Sequence, residues 1–497
     1  MRILYGILVA VAVARAVAPA VAIEPLRIGI IDFPATRGNA HQALGPPYFL
    51  LWPAFFDGLT EIGPDGRARP SLAVSWKARD PNTWVFRLRP DVVFSNGEAL
   101  DAAAVVETIT YMGRPESARF SVYNAYRGVS AARAIDDLTV EITTDRPDRL
   151  LPNRIGAIRI YPRRYWAEVG PEGFARAPVG TGPFTVEKWS DTRITSRANV
   201  RSWRRPRLDA LEFRAISEAP QRLQALQAGS IDISFGLTPD DRDAMAAIGG
   251  ALRPRPRGNV EVISFLTLRP SPLQDRRVRQ ALNYAVDRER IVETLLGGTT
   301  VAATGPAARG VFGRDDSLVP YPYDLGKARE LMRSAGFANG FDLPTEVVVG
   351  GSIGSAVFQQ VASDLAAIRV NMILTPVPQA KILRGAYEGA WDGLAFSMNY
   401  GSLPYMDALA ALRLHSCLWQ TPWNCVPELA RRVEEAGAAF DLGERERLTQ
   451  ALVRDVRDDA PAIWLFEEAP LDGIAARVRN YRAAYSFVNY EELELGE

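Results

Sequence analysis

Apolar residues recur at helical spacing through the stretch Leu273 to Gly298. They fall at Val278, Leu282, Ala285 and Val286, then at Ile291, Val292, Leu295 and Leu296, with arginines and glutamates between them. That pattern predicts two short amphipathic helices in tandem, the arginines forming a solvated face. Asp287 stands between them, where its side chain can accept a bond from a free backbone N–H and start the second helix. Gly297 and Gly298 end the pattern, as a helix C-terminus would.

The rest of the chain alternates between this period and the period of a strand. Leu26–Ile31 is a short apolar run suited to a buried strand. Pro64-Asp65-Gly66 is turn chemistry and predicts a hairpin between 59–62 and 68–72. Trp84, Phe86 and Leu88 alternate with Val85, Arg87 and Arg89, as in a half-buried strand; Leu138, Val140 and Ile142 repeat the pattern. A helix is predicted over 101–111, with Asp101 as its N-cap. After Gly180 come strands at 184–189, 194–197 and 210–216, a helix at 221–227 ending at Gly229, and a strand at 231–233. Strand, helix, strand is the crossover unit of a mostly parallel sheet. Beyond Gly298 the alternation resumes: helix 323–335, strand 345–349, helix 357–368, strands 370–377 and 394–398, helical pattern 429–456, strand 462–466. No internal repeat interrupts this order.

The chain has 497 residues, more than one core serves, so two or three domains are expected. Lys+Arg and Asp+Glu each number 58, so no net charge draws the chain to nucleic acid or anionic membranes. The first 22 residues read as a secretory signal: Arg2, an apolar core from Ile3 to Val13, and Ala20-Val21-Ala22 as a small-x-small cleavage site. Arg15 interrupts the run, which excludes a membrane-spanning helix there, and no cysteine follows the site for a lipid anchor. The mature protein is expected in a periplasm. In an oxidising compartment the two cysteines, Cys417 and Cys425, are expected to pair across a short loop; two free buried thiols are the alternative. Their spacing matches no zinc pattern, and His41 and His415 are the only histidines, so no metal is expected and His415 is read as an exposed loop residue.

Six blocks, taken together and in order, resemble the large periplasmic solute-binding proteins of peptide- and nickel-type ABC importers. They are FFDGLTEIGPDGRARPSLAVSW (55–76), WVFRLRPDVVFSNGEALDAAAVV (84–106), GTGPFTVEKW (180–189), RLQALQAGSIDI (222–233), RRVRQALNYAVDRERIV (276–292) and AGFANGFDL (335–343). The resemblance implies an α/β, two-lobe periplasmic-binding-protein fold of type II, the large peptide-binder class, with an extra α+β subdomain inserted in lobe I. Lobe I is then discontinuous (23–47, 179–265, 468–497), the insert is 48–178 and lobe II is 266–467, the crossings lying near 262–268 and 465–469. It also implies a monomeric receptor, without enzymatic activity or cofactor, that captures a small solute by hinge closure and hands it to permease subunits in the inner membrane. A peptide or peptide-like solute is the first expectation; a metal chelate, an opine or a sugar derivative is the alternative.

Peptide binders of this family carry an aspartate, followed by proline, after the strand corresponding to 394–398, where it holds the peptide amine. Here that loop reads NYGSLPYMDALAAL (399–412), with Leu403-Pro404 in place of Asp-Pro. Asn399, Tyr400, Tyr405 and Asp407 are expected to face the cleft, and Tyr48 and Arg413 are further candidates. For Asp407 the competing role is an N-cap of the following helix. Trp419 and Trp423 are expected to pack around the cysteine loop. An exported hydrolase is the rival class, yet neither G-x-S-x-G nor H-E-x-x-H occurs. A periplasmic chaperone on the same fold is a third.

Overall fold

The computed structural model describes residues 24–496 except 44, 46–47, 64, 349–354 and 486. The expected export segment lies outside the described residues, as does Val349 of the strand expected at 345–349. Among the described residues no helix is long and apolar enough to cross a membrane.

Leu26–Ile30 buries Leu26, Ile28 and Ile30 at the middle of a seven-stranded sheet. It pairs in parallel with Ala210–Ala215 on one side and Ile233–Leu237 on the other. A strand covered on both faces has no polar side to display, hence its apolar run. The helix Ala219–Gln227 makes the expected crossover. In full the sheet runs Ala251–Pro254, Leu471–Ile474, Ile233–Leu237, Leu26–Ile30, Ala210–Ala215, Arg193–Ala198, Phe184–Trp189. Segments from the start, middle and end of the chain therefore share one sheet.

Between Leu26–Ile30 and Phe184–Trp189 the chain builds a four-stranded antiparallel sheet, ordered Ala73–Asp80, Thr83–Leu88, Thr139–Thr144, Val129–Asp136. Trp84, Phe86 and Leu88 turn to its buried face, against the helix Ala102–Met112. Asp101 caps that helix, Oδ1 accepting from the Ala104 N–H at 2.8 Å. The predicted hairpin pairs Thr60–Ile62 with Ala68–Pro70.

A five-stranded sheet holds the second half: Val370–Pro376, Phe341–Val347, Ala395–Gly401, Asn259–Phe265, Ala462–Glu467. Ile263 and Phe265 face a core built with Val278, Leu282 and Val286. The tandem stretch forms the helix Arg276–Tyr284, then a turn at Arg288–Arg290 capped by Asp287, whose Oδ1 accepts from Arg290 N at 3.0 Å, then a π-helical turn Ile291–Leu295. Its arginines do not all form a solvated face. Arg279 and Arg288 are 5% and 2% exposed. Arg279 Nη2 donates to Asp459 O and Oδ1, both at 2.7 Å, and Arg288 Nη1 to Asn283 O at 2.8 Å. The guanidinium carries donors enough to satisfy the leftover carbonyls of chain ends, which apolar periodicity does not register. With carbonyls rather than an acid for partners, burial pushes Arg288 down to about 9.

The chain passes between the two large sheets twice, at 255–258 and at 468–470. The two crossings run side by side: Arg255 N donates to Pro470 O at 2.9 Å, Arg257 N to Glu468 O at 3.1 Å, and Glu468 N to Asn259 O at 2.9 Å. Gly258 has φ +72°, a conformation that favours glycine, and a Cβ there would press on the Met406 methyl at 2.7 Å.

Cys417 and Cys425 form a disulfide between the helices Ala408–Leu414 and Pro427–Ala438. Closing so short a loop contributes ~2–3 kcal/mol by limiting the unfolded chain. Reduction, or the pair of replacements Cys417→Ser and Cys425→Ser, should lower stability by that amount in urea titrations. An unchanged midpoint would mean the helices alone fix the loop.

Candidate functional site

Two polar groupings lie where the two halves of the molecule meet. The first surrounds Glu468 in the returning crossing. Its Oε1 accepts from Asn399 Nδ2 at 2.9 Å, its Oε2 from Asn259 Nδ2 at 3.2 Å and from Arg257 Nη1 at 3.5 Å. Glu261, 5% exposed, sits beside it. Burial first, then the Glu468 carboxylate, raises Glu261 well above the ordinary carboxylate range. A glutamate inside the buried strand NVEVISF was the one local sign of this grouping.

The second is a seam between the inserted subdomain and the second half. Asn153 pins it: Nδ2 donates to Tyr405 O at 3.1 Å and to Gly66 O at 3.2 Å. On one side opens a groove of about 280 Å³, lined by Arg127, Asp145 and Arg146 from the insert and by Tyr405, Asp407 and Arg413 from the other wall. Asp407 is committed twice. Oδ1 accepts from Leu409 N at 3.0 Å, capping the next helix, and Oδ2 pairs with Arg445 at 2.9 Å. Arg413 pairs with Glu434 at 3.5 Å, and Arg154 with Asp148 at 2.5 Å. Burial raises the Tyr405 phenol to about 12, so it stays neutral. Arg127 and Arg146 are exposed, and among the described residues their guanidinium groups have no partner. The groove thus offers two free cations against the single uncommitted carboxylate of Asp145.

Of the residues expected at the site, Tyr405, Asp407 and Arg413 line this groove, and Asn399 belongs to the Glu468 grouping. Tyr400 does neither. It is 1% exposed, stacked on His415 at 3.7 Å and edge-on to Trp464 at 4.9 Å. Tyr48 lies apart from the others, half-buried at the start of a short helix near Asp32. His415 is not the exposed loop residue expected. It is 4% exposed, its Nε2 donates to Asn399 O at 3.2 Å, and burial pushes its pKa down to about 3. The tight cysteine loop folds it inward over Tyr400. Trp419 donates Nε1 to Ala386 O at 2.7 Å and Trp423 packs edge-on to Phe396 at 5.5 Å, so both serve packing. Among the described residues, no three His, Cys, Asp or Glu side chains gather as metal ligands. Arg127, Arg146 and Asn153 were not singled out from sequence, because the insert that carries them has no local motif there.

The family model described as "Bacterial extracellular solute-binding proteins, family 5 Middle" matches residues 67–416. The glutathione-binding protein GsiB of Pectobacterium atrosepticum is 29% identical over 474 residues, 89% of each chain. Among solved structures, the periplasmic binding protein DppA from Helicobacter pylori in complex with the peptide STSA superposes with a TM-score of 0.77 at 19% identity, over 95% of this chain and 98% of that one. NikA from Brucella suis in complex with Fe(III)-EDTA gives 0.82 at 21% identity, over 95% and 100%.

Proposed function

Because the chain belongs to the bacterial extracellular solute-binding proteins of family 5, and is thus a substrate-binding component of an ABC importer, we propose that it captures a peptide-like, acidic solute of the glutathione kind in the seam between its lobes. At family level these are solute-binding proteins, not enzymes. The observation that carries the reading is the groove at the seam, walled from both halves of a molecule whose chain crosses between the large sheets at 255–258 and 468–470. Contacts made by a solute with both walls exist only when the lobes are closed, so binding shifts the population toward closure. The lobe boundary then falls within the crossings themselves, with the insert moving as part of lobe I. The free guanidinium groups of Arg127 and Arg146 meet the solute's carboxylates, and delivery is to an inner-membrane permease from the periplasm.

Calorimetry with glutathione, di- and tripeptides tests this. Glutathione is expected to bind, and Arg127→Gln with Arg146→Gln is expected to weaken it by at least about tenfold, ~1.4 kcal/mol. Binding of none of the panel, or release of free amino acids from it, would overturn the reading. A second reading, a non-peptide polycarboxylate such as an opine or a metal chelate, draws support from Leu403-Pro404 in place of Asp-Pro and from the double commitment of Asp407, which leave no loop carboxylate for an amine.

A further inference from the structure

On the other side of the Asn153–Tyr405 contact lies a second, smaller space of about 40 Å³. The insert and lobe I supply Asp57, Glu61, Asn153, Arg159 and Arg204 to its wall, and Pro404 from the opposite lobe closes it. Two of these charges are in ion pairs. Asp57 pairs with Arg204 at 2.7 Å and accepts from Thr181 at 2.8 Å and Trp203 at 3.0 Å, while Arg204 also reaches Glu491 at 2.8 Å. The other two are not. Among the described residues no hydrogen bond or ion pair meets the side chain of Arg159 or that of Glu61, and Arg159 Nε is buried without a partner.

Both side chains are partly exposed, so a guanidinium and a carboxyl on one cavity wall are open to an occupant that can meet both. Burial acts on each accordingly, lowering Arg159 to about 10 and raising Glu61, and each lies within reach of the other's charge. The space holds roughly three waters, or a group of similar bulk. Asp57 and Glu491 hold Arg204 between them, so the two side chains left to an occupant are Arg159 and Glu61, of opposite charge. A simple anion would leave Glu61 facing added negative charge and a simple cation would leave Arg159 facing added positive charge, whereas a neutral, dipolar group meets both.

We propose that this cavity takes the zwitterionic α-amino-acid head group of the solute, its carboxylate on Arg159 and its ammonium on Glu61, with the remainder extending past Asn153 into the arginine-lined groove. The proposal rests on the reading of the seam as the solute site. It deepens that reading by naming a class: γ-linked peptides keep an intact α-amino-acid head at their first residue, whereas α-linked peptides carry ammonium and carboxylate at opposite ends. Because Pro404 closes the cavity, the head group is enclosed only when the lobes meet.

The test compares γ-Glu-Cys-Gly with its α-linked isomer by calorimetry on the full chain. The γ isomer is expected to bind at least about tenfold more tightly, and Arg159→Met and Glu61→Gln should each erase that preference. Arg159→Lys, which keeps the charge, should retain part of the preference and controls for misfolding, as does circular dichroism of each ligand-free variant. Free glycine should stabilise the wild type against heat where equal concentrations of acetate or methylammonium do not. Equal affinity for the isomers, a preference that survives in Arg159→Met, or equal stabilisation by acetate would overturn the proposal and leave the seam reading standing. Binding of neither isomer would overturn both.

Discussion

Replacing Arg255 with methionine is expected to lower stability by about 3–5 kcal/mol. Arg255 and Asp472 are 4% and 0% exposed, and they meet at two points, Nε to Oδ2 at 2.8 Å and Nη2 to Oδ1 at 3.3 Å. Tyr481 adds its hydroxyl to Oδ2 at 2.7 Å. Methionine fills much of the arginine's volume but leaves the Asp472 carboxylate in a dry site with the tyrosine alone. The penalty is that of an uncompensated buried charge, not the net worth of the pair. The double replacement Arg255→Met with Asp472→Leu should therefore recover most of the loss, because the apolar pair has no charge to desolvate. Urea titrations at fixed pH decide it. A single-variant loss under about 1 kcal/mol would mean water reaches the pair. The result bears on the hinge as well. Arg255 is the first residue of the outgoing crossing, and its N–H is held by Pro470 O of the returning one. Its side chain ties that end of the crossing to the strand Leu471–Ile474.

The elements of the fold were largely legible in the sequence, because each rests on a local period. The buried run at Leu26, the alternation at Trp84 and the Asp101 cap are all stated within a few residues of chain. Sheet order was not. Leu471–Ile474 is inserted between Ile233–Leu237 and Ala251–Pro254, and nothing in any of these three segments names its neighbours. Arg279 and Arg288 failed for a different reason. Periodicity sorts residues by polarity, while the buried carbonyls of chain ends recruit charge inward.

The candidate site divides along the same line. The break in the 399–412 loop pointed to the seam, and Tyr405, Asp407 and Arg413 do line the groove. Tyr400 follows from strand alternation once the strand is seen to run on to Gly401 instead of ending at 398. Successive residues of a strand project to opposite faces, and Asn399 and Tyr400 both lie in Ala395–Gly401. With Asn399 toward the Glu468 grouping, Tyr400 had to point into the packing on the other side. The far wall was beyond reach, since Arg127, Arg146, Asn153 and Arg159 come to line a shared space only against a surface more than two hundred residues away in the chain.

Acidification from pH 6.5 to 4.5 is expected to remove about 2–3 kcal/mol of stability through each of the two histidines. His41 donates Nε2 to Arg159 O at 2.6 Å and is ringed by Tyr161 and Trp166; His415 is stacked on Tyr400. Burial lowers them to about 4 and about 3. Below the ordinary value near 6.5 the unfolded chain binds a proton at each, while the folded protein does not. More protons on the unfolded state means stability that rises with pH, so it falls on acidification and levels off near pH 4 for His41 and near pH 3 for His415. Glu261 works the other way. Its raised value keeps a proton in the folded state that the unfolded chain releases above about 4.5, so its contribution is full at low pH and fades as pH rises. Glu261 therefore offsets part of the slope that the histidines produce. His41→Phe and His415→Phe keep the ring packing and delete the titration, so each should flatten the slope by about 1.4 kcal/mol per pH unit, and Glu261→Gln should steepen it. Urea midpoints at half-unit pH steps separate the three. A slope unchanged in His415→Phe would mean that ring is already solvated in the folded protein, which its stack on Tyr400 and its bond to Asn399 O do not permit.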